Sequence, residues 1–166
     1  METAVNNELT LSTFDAPARP GMLTLGIPAP EGGWTWPPTS VTLLAGEREA
    51  VLVDTLPTIV DSLHLAEWIA ASGNELTTIF ITHAHIDHYL GAATLLERFP
   101  RARVVATEAT VRLIAEESET GKDRDTYGPL YVDEIGSVIV APEILTDHRI
   151  VLEGHALRVV DAGPSE

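Results

Sequence analysis

Residues 82–91 read Thr-His-Ala-His-Ile-Asp-His-Tyr-Leu-Gly. Four groups able to ligate a metal, His83, His85, Asp87 and His88, fall within six positions, in a chain with only six histidines. The stretch before them, 76–82, is apolar and ends in Ile79, Phe80 and Ile81, as a buried strand does. The stretch after them repeats apolar residues at Ala92, Leu95, Leu96 and Phe99, the spacing of an amphipathic helix over 88–98 that ends before Pro100. The cluster therefore lies on a strand-to-helix connection. In open α/β folds, ligands bind at that edge, outside the carboxyl ends of the strands.

Imidazole with carboxylate suits zinc, iron or manganese better than calcium or magnesium. In an extended connection, His83 and His85 point the same way and can reach one ion. Asp87 and His88 open the following helix and point elsewhere, so a second ion between them is geometrically natural. Two metals a few ångströms apart can hold a bridging hydroxide and polarise a carbonyl. A polar loop can gather histidines by chance, but three with an aspartate in six residues point to a metal site.

These residues resemble the metallo-β-lactamase-fold hydrolases. The pattern is His-x-His-x-Asp-His after a strand, often preceded by Thr and followed three residues later by Gly; here it is Thr82, His83, His85, Asp87, His88 and Gly91. An Asp at the end of an earlier strand also matches, as Val51-Leu52-Val53-Asp54-Thr55. The general layout resembles the family from about residue 20 onward. The resemblance implies an α/β fold, a metallo-β-lactamase-like αββα sandwich, of which residues 1–166 hold one domain incomplete at its C-terminus. That is largely the N-terminal half, a mixed β-sheet with flanking helices. It implies zinc, one or two ions, with iron or manganese as alternatives. It also implies hydrolysis of an ester, thioester, lactone or amide carbonyl by a metal-bound hydroxide. Asp87 would orient the nucleophile and shuttle its proton. Asp54 would support the ligands by hydrogen bonds without ligating; read without the family, it could be a turn or cap residue.

The resemblance also implies further ligands. The family's third metal His follows the hairpin strand found here at 156–161, and no His follows it; the later bridging Asp and final His would lie beyond residue 166. Asp161, near the expected position, and His148 and His155, flanking the hairpin strand, are candidate substitute ligands. A catalytic zinc takes about three protein ligands plus water, and the motif supplies two per position. Two alternatives stand beside the hydrolase. One is a catalytically impaired metal- or partner-binding fragment, and the other is an iron-dependent oxidoreductase of the same fold. An apolar sheet face left without its second half would favour pairing into a homodimer.

Composition narrows the partners. With 25 acidic and 10 basic residues the net charge is −15, which argues against nucleic acid; the small-molecule substrate is what the resemblance implies. The simplest reading of the acidity is a solvated surface. The absence of cysteine excludes disulfides and thiolate zinc sites. The first ten residues are acidic and polar, and no stretch approaches the ~18 apolar residues of a membrane span, so the expectation is a cytoplasmic protein.

Along the chain, a strand is expected at 22–27. Residues 28–38, with four prolines, two glycines, Trp34 and Trp36, read as a loop that either covers a site or pins itself to the core. A hairpin over 41–54 turns at Gly46-Glu47-Arg48-Glu49. A helix then opens near Pro57, with an apolar stripe at Ile59, Leu63, Ala66, Ile69 and Ala70 and a stop at Gly73; His64 lies off the stripe. A strand at 103–106 leads to a helix capped by Thr107, with Val111, Ile114 and Ala115 inward and Glu108, Glu116, Glu117 and Glu119 solvated. Residues 120–136 are turn-rich, a lid-like insertion or a surface loop. A second hairpin turns at Glu153-Gly154.

Overall fold

The structure is a computed structural model and describes residues 8–21, 31, 33–36, 38–121, 125 and 134–160. In chain order the elements are β1 (Thr10–Ala16), β2 (Arg19–Gly21), β3 (Trp34–Trp36), β4 (Thr39–Ala45), β5 (Glu49–Val53), α1 (Ile59–Ser72) and β6 (Glu75–Ile81). They continue with α2 (Ile86–Tyr89), α3 (Ala92–Arg98), β7 (Arg103–Ala106), α4 (Glu108–Thr120), β8 (Glu143–Ile144), β9 (Arg149–Leu152) and β10 (His155–Arg158). Six strands form one mixed sheet in the order β1-β4-β5-β6-β7-β8. The β1/β4 and β4/β5 pairs are antiparallel, and the pairs from β5 to β8 are parallel. This is the mixed sheet with flanking helices that the sequence predicts.

Alternation along the central strands explains the layering. Ala50 and Leu52, Ile79 and Ile81, and Val104 and Ala106 turn to one face and join Leu65, Ala66 and Ile69 of α1 and Leu95 of α3 in the larger core. Val51, Phe80 and Val105 turn to the other face and join Ile150 and Leu152 of the β9–β10 hairpin. Strands apolar on both sides are those of a sheet covered on both sides. The hairpin turn carries Glu153 and Gly154 at φ of 47° and 89°, the positive values that two-residue hairpin turns need. The Glu153 carboxylate accepts hydrogen bonds from the backbone N–H of Glu47 (2.9 Å), Arg48 (2.6 Å) and Glu49 (2.7 Å), tying the hairpin to the β4–β5 turn.

Several elements depart from the sequence reading. Strand β1 lies at an edge, where polar residues are tolerated on both faces, and its pattern hides it: Leu11 is 67 % exposed. The strand expected at 22–27 lies outside the described residues. Within the proline-rich stretch, the backbone of Trp34–Trp36 pairs with Arg19–Gly21. Thr35 between two aromatics favours extended chain there, and the prolines only punctuate it. Helix α1 begins after Thr58, not at Pro57; the Thr58 hydroxyl accepts from the Asp61 N–H (3.1 Å) and donates to Asp61 Oδ2 (2.8 Å). Its buried stripe is Leu65, Ala66 and Ile69, whereas Ile59 and Leu63 are exposed. Gly73 ends it in the left-handed conformation, as expected. Thr107 caps α4 as expected, but Glu117 is buried rather than solvated. Most of 120–136 lies outside the described residues.

Candidate metal centre

The helix expected over 88–98 is two short helices, α2 and α3, that meet at Gly91. A methyl group on Gly91 would collide with Ser62 Oγ and come within 2.6 Å of the Leu56 carbonyl oxygen. Glycine therefore lets the start of α3 press against the connection after β5, which carries Asp54. The same connection is tied to α2: Thr55 donates to the His88 carbonyl through its N–H (2.8 Å) and its hydroxyl (3.0 Å).

Asp54 closes β5 at a φ of 65°, a left-handed conformation that Asp tolerates better than most residues. Its N–H still donates to the Phe80 carbonyl (2.8 Å), which keeps β5 beside β6 while the side chain swings toward the end of β6. There its Oδ1 accepts from the Thr82 N–H (2.8 Å), and the Thr82 hydroxyl lies 2.9 and 2.8 Å from Oδ1 and Oδ2. His88 Nδ1 lies 2.9 Å from Oδ2. Asp54 is 8 % exposed, so its hydrogen bonds replace most of the water it has lost.

The motif residues converge on one another. His83 Nε2 and His85 Nδ1 face each other at 3.0 Å. Asp87 Oδ2 lies 3.6 Å from His88 Nε2, and the His83 and His88 rings sit 4.0 Å apart at their centroids. Asp54, His83 and His88 each offer a ligand atom within 4.8 Å of the others. This group could hold a divalent metal, with His85 beside His83 and Asp87 beside His88 as further donors. Asp54 is close enough to ligate, but both of its oxygens are already occupied by Thr82 and His88.

The imidazoles differ electrostatically. Burial, and the neighbouring His88 and His85, push His83 below its ordinary value of 6.5, which favours the neutral ring. Burial alone would also lower His88. Its hydrogen bond to Asp54 and the charges of Asp54 and Asp87 outweigh that and raise it above 6.5.

Of the substitute ligands, neither His148 nor His155 belongs to a group of three close donors among the described residues. His148 is an exposed turn residue whose carbonyl accepts from Val159 N–H (2.9 Å), and His155 opens β10. Asp161 lies outside the described residues. Sequence reading gave Thr82 and Gly91 no role beyond their place in the motif. It also missed Thr55, whose signal, a hydroxyl residue after a strand-ending Asp, has no distinctive spacing.

His83 and His85 open onto a groove of about 900 Å³ on the hairpin face. Val53 and Phe80 form its sheet wall, Leu157 its hairpin wall, and Arg112 and Arg158 line it as well. No helix among the described residues is long and apolar enough to cross a membrane.

Comparison with known proteins follows this geometry. A hydroxyacylglutathione hydrolase of a Synechococcus sp. strain is 52 % identical over 42 residues, covering 25 % of this chain and 17 % of that protein. An atrochrysone carboxyl ACP thioesterase of Aspergillus chevalieri is 35 % identical over 75 residues, covering 43 % and 24 %. Among solved structures, a metallo-beta-lactamase from Pontibacter korlensis superposes with a TM-score of 0.56 at 20 % identity, covering 91 % of this chain and 59 % of that one. A metallo-beta-lactamase of Bradyrhizobium japonicum gives 0.53 at 23 % identity, covering 72 % and 44 %. The chain thus matches a quarter or less of the length of these two curated relatives and under two thirds of these structures. The family model of the metallo-beta-lactamase superfamily matches residues 34–163, and the chain belongs to that superfamily.

Proposed function

We propose that this chain carries the metal-binding half of a hydrolase acting on a thioester of a small-molecule substrate. The observation that carries the proposal is the convergence of two donor pairs, His83 Nε2 with His85 Nδ1 at 3.0 Å and Asp87 Oδ2 with His88 Nε2 at 3.6 Å. Thioesters are favoured over other carbonyl substrates because the two curated relatives are named for release of an acyl group from a thiol carrier.

In this reading His83 and His85 would hold one ion, and Asp87 with His88 would hold a second. Asp54 stays behind the ligands and orients them through Thr82 and His88. A bound divalent metal supplies a Lewis acid and lowers the pKa of water. Zinc fits these donors best, with iron or manganese as alternatives. The Asp87 carboxylate takes up the proton that the attacking water loses and hands it to the leaving thiolate. The groove wall of Val53, Phe80 and Leu157 receives the apolar part of the acyl group and keeps water from it.

A second reading, a metal-binding fragment without turnover, is favoured by one observation. Each pair offers two donors, where catalytic zinc sites carry about three. Both readings meet in one experiment. The protein is stripped with chelator, reloaded separately with zinc, iron or manganese, and assayed for bound metal and for thiol release from an acylglutathione, beside His83→Ala. The hydrolase reading expects about one to two equivalents of metal, lost in the variant, together with metal-dependent thiol release. Bound metal without thiol release selects the fragment. Less than about a tenth of an equivalent in the unmodified protein overturns both.

A further inference from the structure

We infer that Thr82 is a positioning residue that sets the tautomer of His83: its hydroxyl passes the acceptor character of Asp54 on to the His83 ring, leaving Nε2 free to ligate. This rests on His83 being a ligand, as in the proposed function, and adds how the chain makes it one.

The argument is a count of protons. The Thr82 hydroxyl has one hydrogen to give and lone pairs to accept. Its oxygen has three close neighbours: Asp54 Oδ1 at 2.9 Å, Asp54 Oδ2 at 2.8 Å and His83 Nδ1 at 2.9 Å. An ionised carboxylate can only accept. The hydroxyl hydrogen therefore goes to Asp54, and the hydroxyl oxygen must accept from His83. The proton on His83 is then at Nδ1, and Nε2 carries the lone pair. The opposite arrangement, with Thr82 donating to His83, sets the hydroxyl oxygen against both carboxylate oxygens with no hydrogen between them. Asp54 could relieve that contact only by holding a proton of its own. Yet its Oδ1 already accepts from the Thr82 N–H at 2.8 Å and its Oδ2 faces His88 Nδ1 at 2.9 Å, so both oxygens are placed as acceptors.

The same logic acts on His88 without a relay. Its Nδ1 meets Asp54 Oδ2 directly, which leaves Nε2, 3.6 Å from Asp87 Oδ2, as the nitrogen to ligate. One carboxylate thereby directs two imidazoles, one by contact and one through a hydroxyl. Among the described residues His85 shows no such support: its Nδ1 meets His83 Nε2 at 3.0 Å, the place an ion would take.

Valine matches threonine in shape and lacks the hydroxyl, and serine keeps the hydroxyl. The first measurement uses the unmodified, metal-free protein at alkaline pH, where imidazoles are neutral. Long-range proton–nitrogen NMR correlations are expected to show His83 protonated at Nδ1 and unprotonated at Nε2. His83 protonated at Nε2 overturns the inference without any variant. In Thr82→Val the His83 pattern is expected to shift toward protonated Nε2 while His88 keeps its own. Zinc affinity is expected to fall about 10–100-fold, as for other groups that orient metal ligands. Thr82→Ser should restore both. An unchanged His83 pattern and unchanged affinity in Thr82→Val would also overturn the inference. So would Thr82→Ser behaving as the valine variant does, since the hydroxyl would then not be the cause. Absence of zinc binding in the unmodified protein would count against the hydrolase reading instead, and the NMR result on metal-free protein would still decide the role of Thr82.

Discussion

The two faces of the central sheet are built from the same strands but closed differently. On the helix face, Ala50, Leu52, Ile79 and Ile81 are fully buried beneath α1 and α3. On the opposite face, one hairpin covers Val51 and Val105, and a groove of about 900 Å³ runs beside Phe80 to His83 and His85. The helix face carries the stability of the described fold, and the hairpin face carries access to the candidate metal centre. A damaged residue should therefore reveal which face it belongs to by whether it costs stability or alters the site.

The largest effect is expected from Leu52→Ala. Leu52 has no exposed surface, and removing its side chain leaves a closed cavity, so unfolding free energy should fall by about 2–5 kcal/mol in denaturant titration. Phe80→Ala on the other face removes a larger side chain but opens its space toward the groove. It should cost less than the roughly 3–5 kcal/mol usual for that change. A Phe80 loss equal to or above the Leu52 loss would erase the distinction between the faces.

Gly91→Ala comes next. It sits on the helix face but acts on the site, because the added methyl meets the backbone at Leu56 and pushes α2 and α3 away from Asp54. Overpacking of this kind costs about 1–3 kcal/mol, and metal affinity should fall with it. Full metal binding in a destabilised Gly91→Ala would separate the packing of the two helices from the ligand geometry.

Glu153→Gln tests the hairpin. The substitution weakens three charge-assisted hydrogen bonds to one turn, and a loss of about 1–2 kcal/mol is expected. Limited proteolysis should locate the new cleavage in the hairpin, while α1 and α3 stay protected. The smallest effect belongs to the sheet edge. The Arg103 guanidinium, 2.6 Å from Glu143, holds that carboxyl below its ordinary value. A depressed carboxylate contributes stability above its unfolded pKa and loses it as pH falls through the folded value. Glu143→Gln should therefore shift the midpoint slightly at neutral pH and not at all in acid.

Which of these features could be read from the chain follows from how far apart their parts lie. The candidate cluster stands out in the sequence because His83, His85, Asp87 and His88 fall within six consecutive positions. Both hairpins and the Thr107 cap were legible for the same reason, since each is closed by neighbours. Asp54 was legible as a motif residue, through resemblance, but not as the partner of Thr82. The need for Gly91 is set by Leu56 and Ser62, and that of the Glu153 latch by residues 47–49, and no local pattern announces either. Strand β1 was missed because an edge strand has no periodicity to impose. Glu117 was misplaced because its acidity suggested solvent, whereas the packing of α4 put it inside.

The bonds of Asp54 also bear on the order of events as the chain folds. They reach Thr82 and His88, 28 and 34 positions away, within the single β5-α1-β6-α2 passage. The Glu153 latch spans 104–106 positions. Closing the longer loop costs about 1 kcal/mol more in chain entropy, and long-range contacts form later for that reason. During synthesis and refolding, the residues around Asp54 are therefore expected to come together before the hairpin arrives to wall the groove. A nascent chain at that stage would hold the candidate metal centre open to solvent, where an ion could reach it without passing through the groove.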